Sequence, residues 1–396
     1  MRIATAFRTE RDTTTALSQA FGELAESLGG EPNWVLVNAT ELHDVPTLQA
    51  ELRRLAPGAV VHGSTSCVGV MTHRGFHSAE GVALGLLGLR DEDGAFGVSA
   101  AELGDDAKQA ASHAVRAAIA QASRPGEVPA MIWLSSAPGR EEEVIAGIEA
   151  VVGHGVPIVG GSAADNAVAG QWQLFTKDER GADLVVLSVL FPSTAVASTF
   201  QSGYSPAPHR GRVTRASGRT IHEIDGKPAA LVYDAWTGGI LGDQITGGNV
   251  LARTTLAPLG RQIGAVMGVP YFCLVHPDAV TSDSGLSLFA RVSEGDELIL
   301  MQGTTEGLQE RAGRVAQAAL EQAGWRPSQV AGALVIFCAG CMLTVRDQMP
   351  AVVDSLKRAL PGVPFLGAFT FGEQGCLMGG ENRHGNLMIS VTLLER

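Results

Sequence analysis

The sequence predicts an α/β protein: three βαβαββ-type repeats in a pseudo-threefold arrangement, with an inserted, mostly β segment. Three observations carry this. Three short apolar segments each stop at glycine and enter a loop of small and polar residues. The same order of helical and strand patterns precedes each of them. One stretch, residues 196–296, lacks that order.

The three segments come first, because internal repeats decide the architecture. Ala59-Val60-Val61-His62-Gly63 runs into Ser64-Thr65-Ser66-Cys67-Val68-Gly69. Val156-Pro157-Ile158-Val159-Gly160 runs into Gly161-Ser162-Ala163-Ala164-Asp165-Asn166. Val363-Pro364-Phe365-Leu366-Gly367 runs into Ala368-Phe369-Thr370-Phe371-Gly372-Glu373. Helical spacing precedes them, as in Val144, Ile145, Ile148, Val151 and Val152, or Val352, Val353, Leu356 and Leu360. Before those helices lie apolar strands at Trp34 to Val37, Met131 to Leu134 and Ala333 to Phe337. Longer helices come earlier still. Ala107, Ala111, Val115 and Ala118 form one stripe, and Leu308, Ala312, Val315 and Ala319 another. Each unit closes with a strand, within Val82 to Leu89, Leu184 to Leu190 and Leu387 to Leu394. The units span roughly residues 1–90, 95–191 and 297–394. Alternating strands and helices imply parallel pairs with right-handed crossovers, the closing strand being free to pair antiparallel. Within 196–296, Ile224-Asp225-Gly226-Lys227-Pro228 reads as a turn and Ser287 to Val292 as a strand.

Composition excludes several classes. Hydrophobic residues make up 45% of the 396, so burial can drive folding throughout. A net charge of −12 disfavours a nucleic-acid partner, which needs basic stripes. No apolar run reaches membrane-span length, and the N-terminus lacks a signal-peptide core. Five cysteines give no disulfide framework. The expectation is a cytoplasmic protein without membrane insertion.

Ligands of open α/β sheets bind beyond the carboxyl ends of strands. Convergence of the three loops would gather Ser64, Ser66, Cys67, Ser162, Asp165, Asn166, Thr370 and Glu373. Their hydroxyls, carboxylates and amide suit a small polar ligand with an ammonium group, such as an amino acid. The alternative is that they satisfy their own turns. A second loop set follows the middle strands and contains Asn38, Ser135 with Ser136, and Cys338; backbone N–H groups over Ser135 to Gly139 would favour a carboxylate. Cys338-Ala339-Gly340-Cys341 is open to three readings: a redox pair, half of a metal site with Cys376 or His384, or a packed loop. Cys67 is a nucleophile candidate without a local histidine signature. No closed zinc site, CxxCH haem attachment or Walker A loop is present.

Taken in order, these motifs resemble the FIST family, with its N-terminal and C-terminal regions. Val156 to Asn166 is similar to the Gly-Gly-Ser-Ala-x-Asp core of the N-terminal region, and Gly63-Ser64-Thr65-Ser66 to its Gly-Cys-Ser-Thr segment, the cysteine standing later at Cys67. Pro258-Leu259-Gly260, Glu294-Gly295, Phe337-Cys338 and Gly367 to Glu373, followed by His384 and Asn386, resemble points of the C-terminal region. Where the family often has an arginine shortly after Cys338, this chain has Cys341. The resemblance implies an N-terminal region over 1–195 (repeats 1 and 2), a β-rich insert of the C-terminal region over 196–296, and a third repeat over 297–396. It implies a sensory protein that binds a small ligand, an amino acid or related metabolite, and acts through a partner. Asp165 and Glu373 would hold the ammonium group, while Ser162 and Thr370 would supply hydroxyls. No cofactor is expected under that reading and no catalytic residue; a non-enzymatic role is favoured. The alternatives are a haem-binding nitric oxide sensor regulating a histidine kinase, and a thiol-dependent enzyme using Cys338 or Cys67.

Overall fold

A computed structural model describes residues 1–266, 269–377 and 379–396. Their strands form three six-stranded sheets and one nine-stranded sheet, with helices packed against them. The first sheet takes its middle pair from Trp34–Ala39 and Val60–Thr65, which run parallel. The second uses Met131–Ser136 with Ile158–Ser162, and the third Val330–Cys338 with Phe365–Thr370, again parallel. These strands are buried along almost their whole length, which is why they read as continuous apolar runs.

The closing strands do more than the sequence reading assigned to them. Leu84–Arg90 lies between the first strand, Arg2–Arg8, and the middle strand, antiparallel to both. Leu184–Phe191 does the same in the second sheet and Ile389–Glu395 in the third. Their side chains are mostly apolar and buried on both faces, whereas the first strand is partly exposed and takes the edge.

The far edge of each sheet is completed by a hairpin from a different part of the chain. Leu174–Phe175 with Arg180–Gly181 pairs onto Val60–Thr65 of the first sheet. Glu373–Cys376 with Asn382–Gly385 pairs onto Ile158–Ser162 of the second. Val70–Thr72 with Gly75–His77 pairs onto Phe365–Thr370 of the third. The exchange closes in a ring, so no sheet is complete without a neighbour.

Aspartates and a threonine start the long helices by accepting a backbone N–H: Asp12 from Thr15, Asp44 from Thr47, Asp106 from Gln109 and Thr304 from Gly307. The first two sheets share one core. Trp34 of the first donates its indole N–H to Ser188 of the second at 3.0 Å. A second core joins the third sheet to the helices Thr305–Ala323 and Met349–Ala359.

The ends of the insert differ from the sequence reading. Val196–Gln201, placed in the insert, pairs with Ile389–Glu395 as the edge strand of the third sheet. Glu297–Gln302, placed in the third repeat, pairs with Ser205–Ser217 and Leu259–Val266 in the nine-stranded sheet. Both are short apolar strands before a helix or turn, so local pattern alone could not tell which sheet each would join. The stretch between them is mostly β, with α-helices at Ala229–Thr237 and Leu251–Thr254, a 3-10 helix at Gly242–Thr246 and a positive-φ turn at Asp225 and Gly226. No helix among the described residues is long and apolar enough to cross a membrane.

Candidate functional site

The three glycine-containing strands meet, and their ends close on one another through direct hydrogen bonds. Cys67 N donates to Phe369 O at 3.0 Å, and Phe369 N donates to Ser66 Oγ at 2.9 Å. Ser162 N donates to Gly372 O at 2.8 Å, and Ala164 N to Thr65 O at 3.0 Å. Gly161 is required here: a Cβ on it would stand 2.4 Å from Thr370 Cγ2.

The cleft lies beside this junction, where the second and third sheets meet the insert. It measures about 350 Å³, within the usual range for small-molecule pockets. Its walls are largely apolar: Val168, Trp172, Leu251, Phe289, Leu343, Phe371 and Leu387. Its polar groups are few: Glu141, Arg219, His276, Cys338, Thr370 and Asn386.

Glu141 is the electrostatic anchor of one wall. It opens the helix Glu141–Val152 and is 1% exposed. Its carboxylate accepts from Ser162 Oγ at 2.7 Å, from Gly139 N at 3.0 Å and from Arg219 Nη2 at 2.6 Å. Burial opposes its charge, but His384, Arg219 and Ser162 outweigh burial and hold the carboxyl below its ordinary range. Arg219 also donates to Glu142 at 2.6 Å, and burial of Glu142 is likewise outweighed by neighbouring cations, bringing it to about 2. Arg219 thus pins the insert to the second sheet.

The opposite wall holds Asn386. Its Oδ1 accepts from His276 N at 3.2 Å, which fixes the amide orientation and leaves a buried Nδ2 without a partner. His276 packs its ring nitrogen on Thr254 Oγ1 at 2.8 Å, and burial lowers it to about 3, so it is neutral.

Of the residues singled out from sequence, Cys338 and Thr370 line the cleft. Glu373 stands behind Thr370, accepting from its hydroxyl at 3.0 Å and from Met388 N at 3.0 Å; burial pushes its carboxyl well up. Ser162 stands behind Glu141. The others serve the junction and the core. Asp165 accepts from Ala167 N, Ala169 N and Gln171 N at 2.8 to 3.0 Å, organising its own loop. Asn166 donates to Gly81 O and accepts from Val68 N. Ser66 donates to Gly69 O, Ser64 to Asn38 Oδ1, and Ser135 meets His62 Nε2 at 2.9 Å. Cys67 is wholly buried, and burial pushes its thiol up to about 12, which removes nucleophilic character. An ammonium cage shared by Asp165 and Glu373 is therefore not formed: the two carboxylates spend their acceptors on separate partners. Sequence reading missed Glu141 and Arg219. Glu141 was hidden in the charged run Arg140-Glu141-Glu142-Glu143 at a predicted helix start, and Arg219 in a basic stretch with Arg210, Arg212 and Arg215 that reads as a solvated loop.

Two family profiles match. The FIST N domain covers residues 33–227 and the FIST C domain residues 229–376. The uncharacterized protein MJ1623 of Methanocaldococcus jannaschii is 35% identical over 78 residues, 20% of this chain and 15% of that protein, so the chain spans only a small part of that relative. The crystal structure of a cyanuric acid hydrolase from A. caulinodans aligns over 100% of this chain and 99% of that chain at 11% identity and a TM-score of 0.41. A structure of PurLQS from Thermotoga maritima aligns over 76% of this chain and 72% of that chain at 10% identity and a TM-score of 0.23.

Proposed function

We infer that this chain, which belongs to the FIST family, is a sensory protein that takes a small amphipathic metabolite into the cleft between its second and third sheets and the insert. FIST domains are associated with sensory signal transduction and small-ligand binding. The observation that carries the reading is the pairing of a mostly apolar cleft with the unpartnered Nδ2 of Asn386 on its wall. A buried donor without an acceptor costs about 1–3 kcal/mol, and a ligand oxygen would recover it. Thr370 Oγ1 and the edge of Arg219, whose side chain is 21% exposed, supply further polar contacts.

An amino acid with an apolar side chain fits this division. Its carboxylate would meet Asn386 and its side chain Phe289, Phe371 and Trp172, with the ammonium group turned toward the Glu141 wall. We read the three matching sheets as copies of one unit about a pseudo-threefold axis, with the cleft set between two copies and the insert. A signalling partner would read occupancy at the rim, where Val168 and Leu343 are exposed at 49% and 41%.

Haem fits the residues poorly. His276 is the histidine on the cleft wall, and its Nε2 is engaged with Thr254. Thermal-shift and calorimetric titration with the standard amino acids test the proposal. Saturable binding by apolar ones, lost in Asn386→Asp, is expected. Absence of binding by any of them overturns the ligand class.

A further inference from the structure

Behind the cleft wall at Leu387 lies a buried cation that makes no ion pair among the described residues. Arg311, on the helix Thr305–Ala323, is fully buried. Its Nη1 donates to Ser202 O at 2.8 Å and to Leu387 O at 2.7 Å, while Nε and Nη2 have no partner. The guanidinium lies 4.6 Å from the Phe337 ring centre and 5.9 Å from that of Tyr204. A buried charge is costly unless an opposite charge faces it. The ionisable groups facing it are Cys341, Tyr204, Cys338 and Glu373. Burial pushes the Glu373 carboxyl well up, against the charged form. Tyr204 is pushed well up by burial as well. Cys341 remains, and its sulfur lies 3.5 Å from Tyr204 Oη.

We propose that Cys338 and Cys341 form a redox-active dithiol on the inner wall of the cleft, oxidised to a disulfide by a small hydroperoxide and held reduced by Arg311. Cys341 is the thiolate that balances the guanidinium. Burial alone would raise it, but the Cys338 thiol, Arg311 and the Tyr204 hydroxyl outweigh burial and bring it to about 6. Tyr204 has one proton for two acceptors, Thr255 O at 2.9 Å and the sulfur, so ionisation of Cys341 draws the hydroxyl from the carbonyl to the thiolate. Cys338 faces the cleft, three residues earlier at the strand-to-helix junction. Cys338 caps the helix Ala339–Thr344 and Cys341 lies three residues on, the spacing of neighbours on a helical turn; the disulfide requires their Cβ atoms to close to about 3.5–4.5 Å.

Burial pushes the Cys338 thiol well up, so its proton first passes to the Cys341 thiolate; the Cys338 sulfur then attacks the outer peroxide oxygen, the O–O bond breaks, and Cys341 hands the proton to the departing alkoxide. This gives a Cys338 sulfenic acid and an alcohol, or water from hydrogen peroxide. The Cys341 thiolate then attacks the Cys338 sulfur. The S–S bond forms, the S–O bond breaks, and the hydroxide takes a solvent proton. The two sulfurs lose two electrons and the peroxide gains them. Oxidation leaves Arg311 without its counter-charge, so the reduced state is favoured and the disulfide is readily reduced.

The inference does not rest on the identity of the cleft ligand. Its test is stoichiometric treatment of the full chain with hydrogen peroxide, in a Cys376→Ser background, followed by thiol counting under denaturing quench and peptide mass mapping. Loss of two thiols and a linked Cys338–Cys341 peptide are expected. In Cys341→Ser, oxidation should stop at a Cys338 sulfenic acid trapped by dimedone. Arg311→Met should shift the dithiol–disulfide equilibrium about tenfold toward disulfide at pH 7, about 30 mV for a two-electron couple. Tyr204→Phe, a milder change that keeps the buried cation, should shift it in the same direction by less. Thiols that survive peroxide until the chain unfolds, or oxidation that maps elsewhere, overturn the proposal.

Discussion

Replacing Arg219 by methionine probes the contact that joins the insert to the second sheet. In the protein, one Arg219 nitrogen serves both Glu141 and Glu142 at 2.6 Å, and Glu141 is 1% exposed. Arg219→Met leaves that carboxylate buried with only Ser162 and Gly139 as donors. Removing one partner of a buried pair costs about 3–5 kcal/mol, because the remaining charge is uncompensated. Unfolding entropy for 396 residues is about 0.8 kcal/mol per kelvin, so the melting temperature should drop by about 4–6 °C if the chain melts as one unit. Arg219→Met/Glu141→Gln should be more stable than Arg219→Met alone, since it removes the stranded charge. The pH dependence supplies a second check. In the native protein the Glu141 carboxyl is held low, so its stabilisation is complete above the unfolded value of 4.5 and disappears as pH falls through the lower folded value. In Arg219→Met the same carboxyl rises, and its penalty is relieved as pH falls toward 5. Urea unfolding at pH 7.5 and pH 5 should therefore show the gap between variant and parent narrowing on acidification. A gap below about 1 kcal/mol at pH 7.5, or a double variant no better than Arg219→Met, would refute the anchoring role.

Asn386→Asp replaces the unpartnered donor with an acceptor and should weaken ligand binding at least about tenfold, the worth of about one hydrogen bond; calorimetry on the folded variant checks it. Three buried histidines should make the fold acid-sensitive. Burial lowers His62 and His276 to about 3 and His77 to about 4, against 6.5 when free. Below pH 6.5 the unfolded chain binds protons that the folded chain refuses, so stability falls as pH drops toward 4, by about 1.4 kcal/mol per pH unit for each histidine. Unfolding free energy between pH 7 and 4.5 measures this, and His62→Gln should reduce the slope by one such increment. Gly161→Ala should destabilise by about 1–3 kcal/mol through overpacking against Thr370; a melting temperature equal to the parent's would show that the junction tolerates the methyl group.

The parts of the fold readable from sequence are those dictated by burial. Trp34 to Val37, Met131 to Leu134 and Ala333 to Phe337 read as strands because both of their faces are covered. The segments after Gly63, Gly160 and Gly367 read as loops because they are small and polar; they do converge, but the strands run on through Thr65, Ser162 and Thr370 before they end. The hairpins that exchange between sheets did not stand out. Leu174–Phe175 and Arg180–Gly181 are two residues each, too short for a period of two to register. The candidate site was legible on one wall only. Asp165 carries the same side chain that an ammonium site would need, yet its backbone lies so that three N–H groups of its own loop reach the carboxylate first. Composition cannot separate these two uses of an aspartate; only the path of the chain through Ala167, Ala169 and Gln171 does.

That path explains why the cleft stands beside the convergence and not inside it. Where three strand ends meet with small residues, backbone N–H and C=O groups come close enough to satisfy one another, and Cys67, Ala164 and Ser162 do so with Phe369, Thr65 and Gly372. A cavity at that point would leave those groups unpaired, at a cost for each. Space is retained instead where Gly139, Gly170 and Gly340 bring backbone to a wall without a side chain, and where the insert contributes Arg219, Leu251, His276 and Phe289 from a separate sheet. The insert packs by side chains and ion pairs, as Arg219 with Glu141 and Arg291 N with Glu142 at 2.7 Å. Such contacts tolerate a gap that a hydrogen-bonded backbone junction does not. The cleft thus lies at a boundary where side chains carry much of the contact, with Asn386 N to Leu274 O at 3.1 Å as a backbone bond across it, and there the proposed ligand would alter how the insert sits on the sheets.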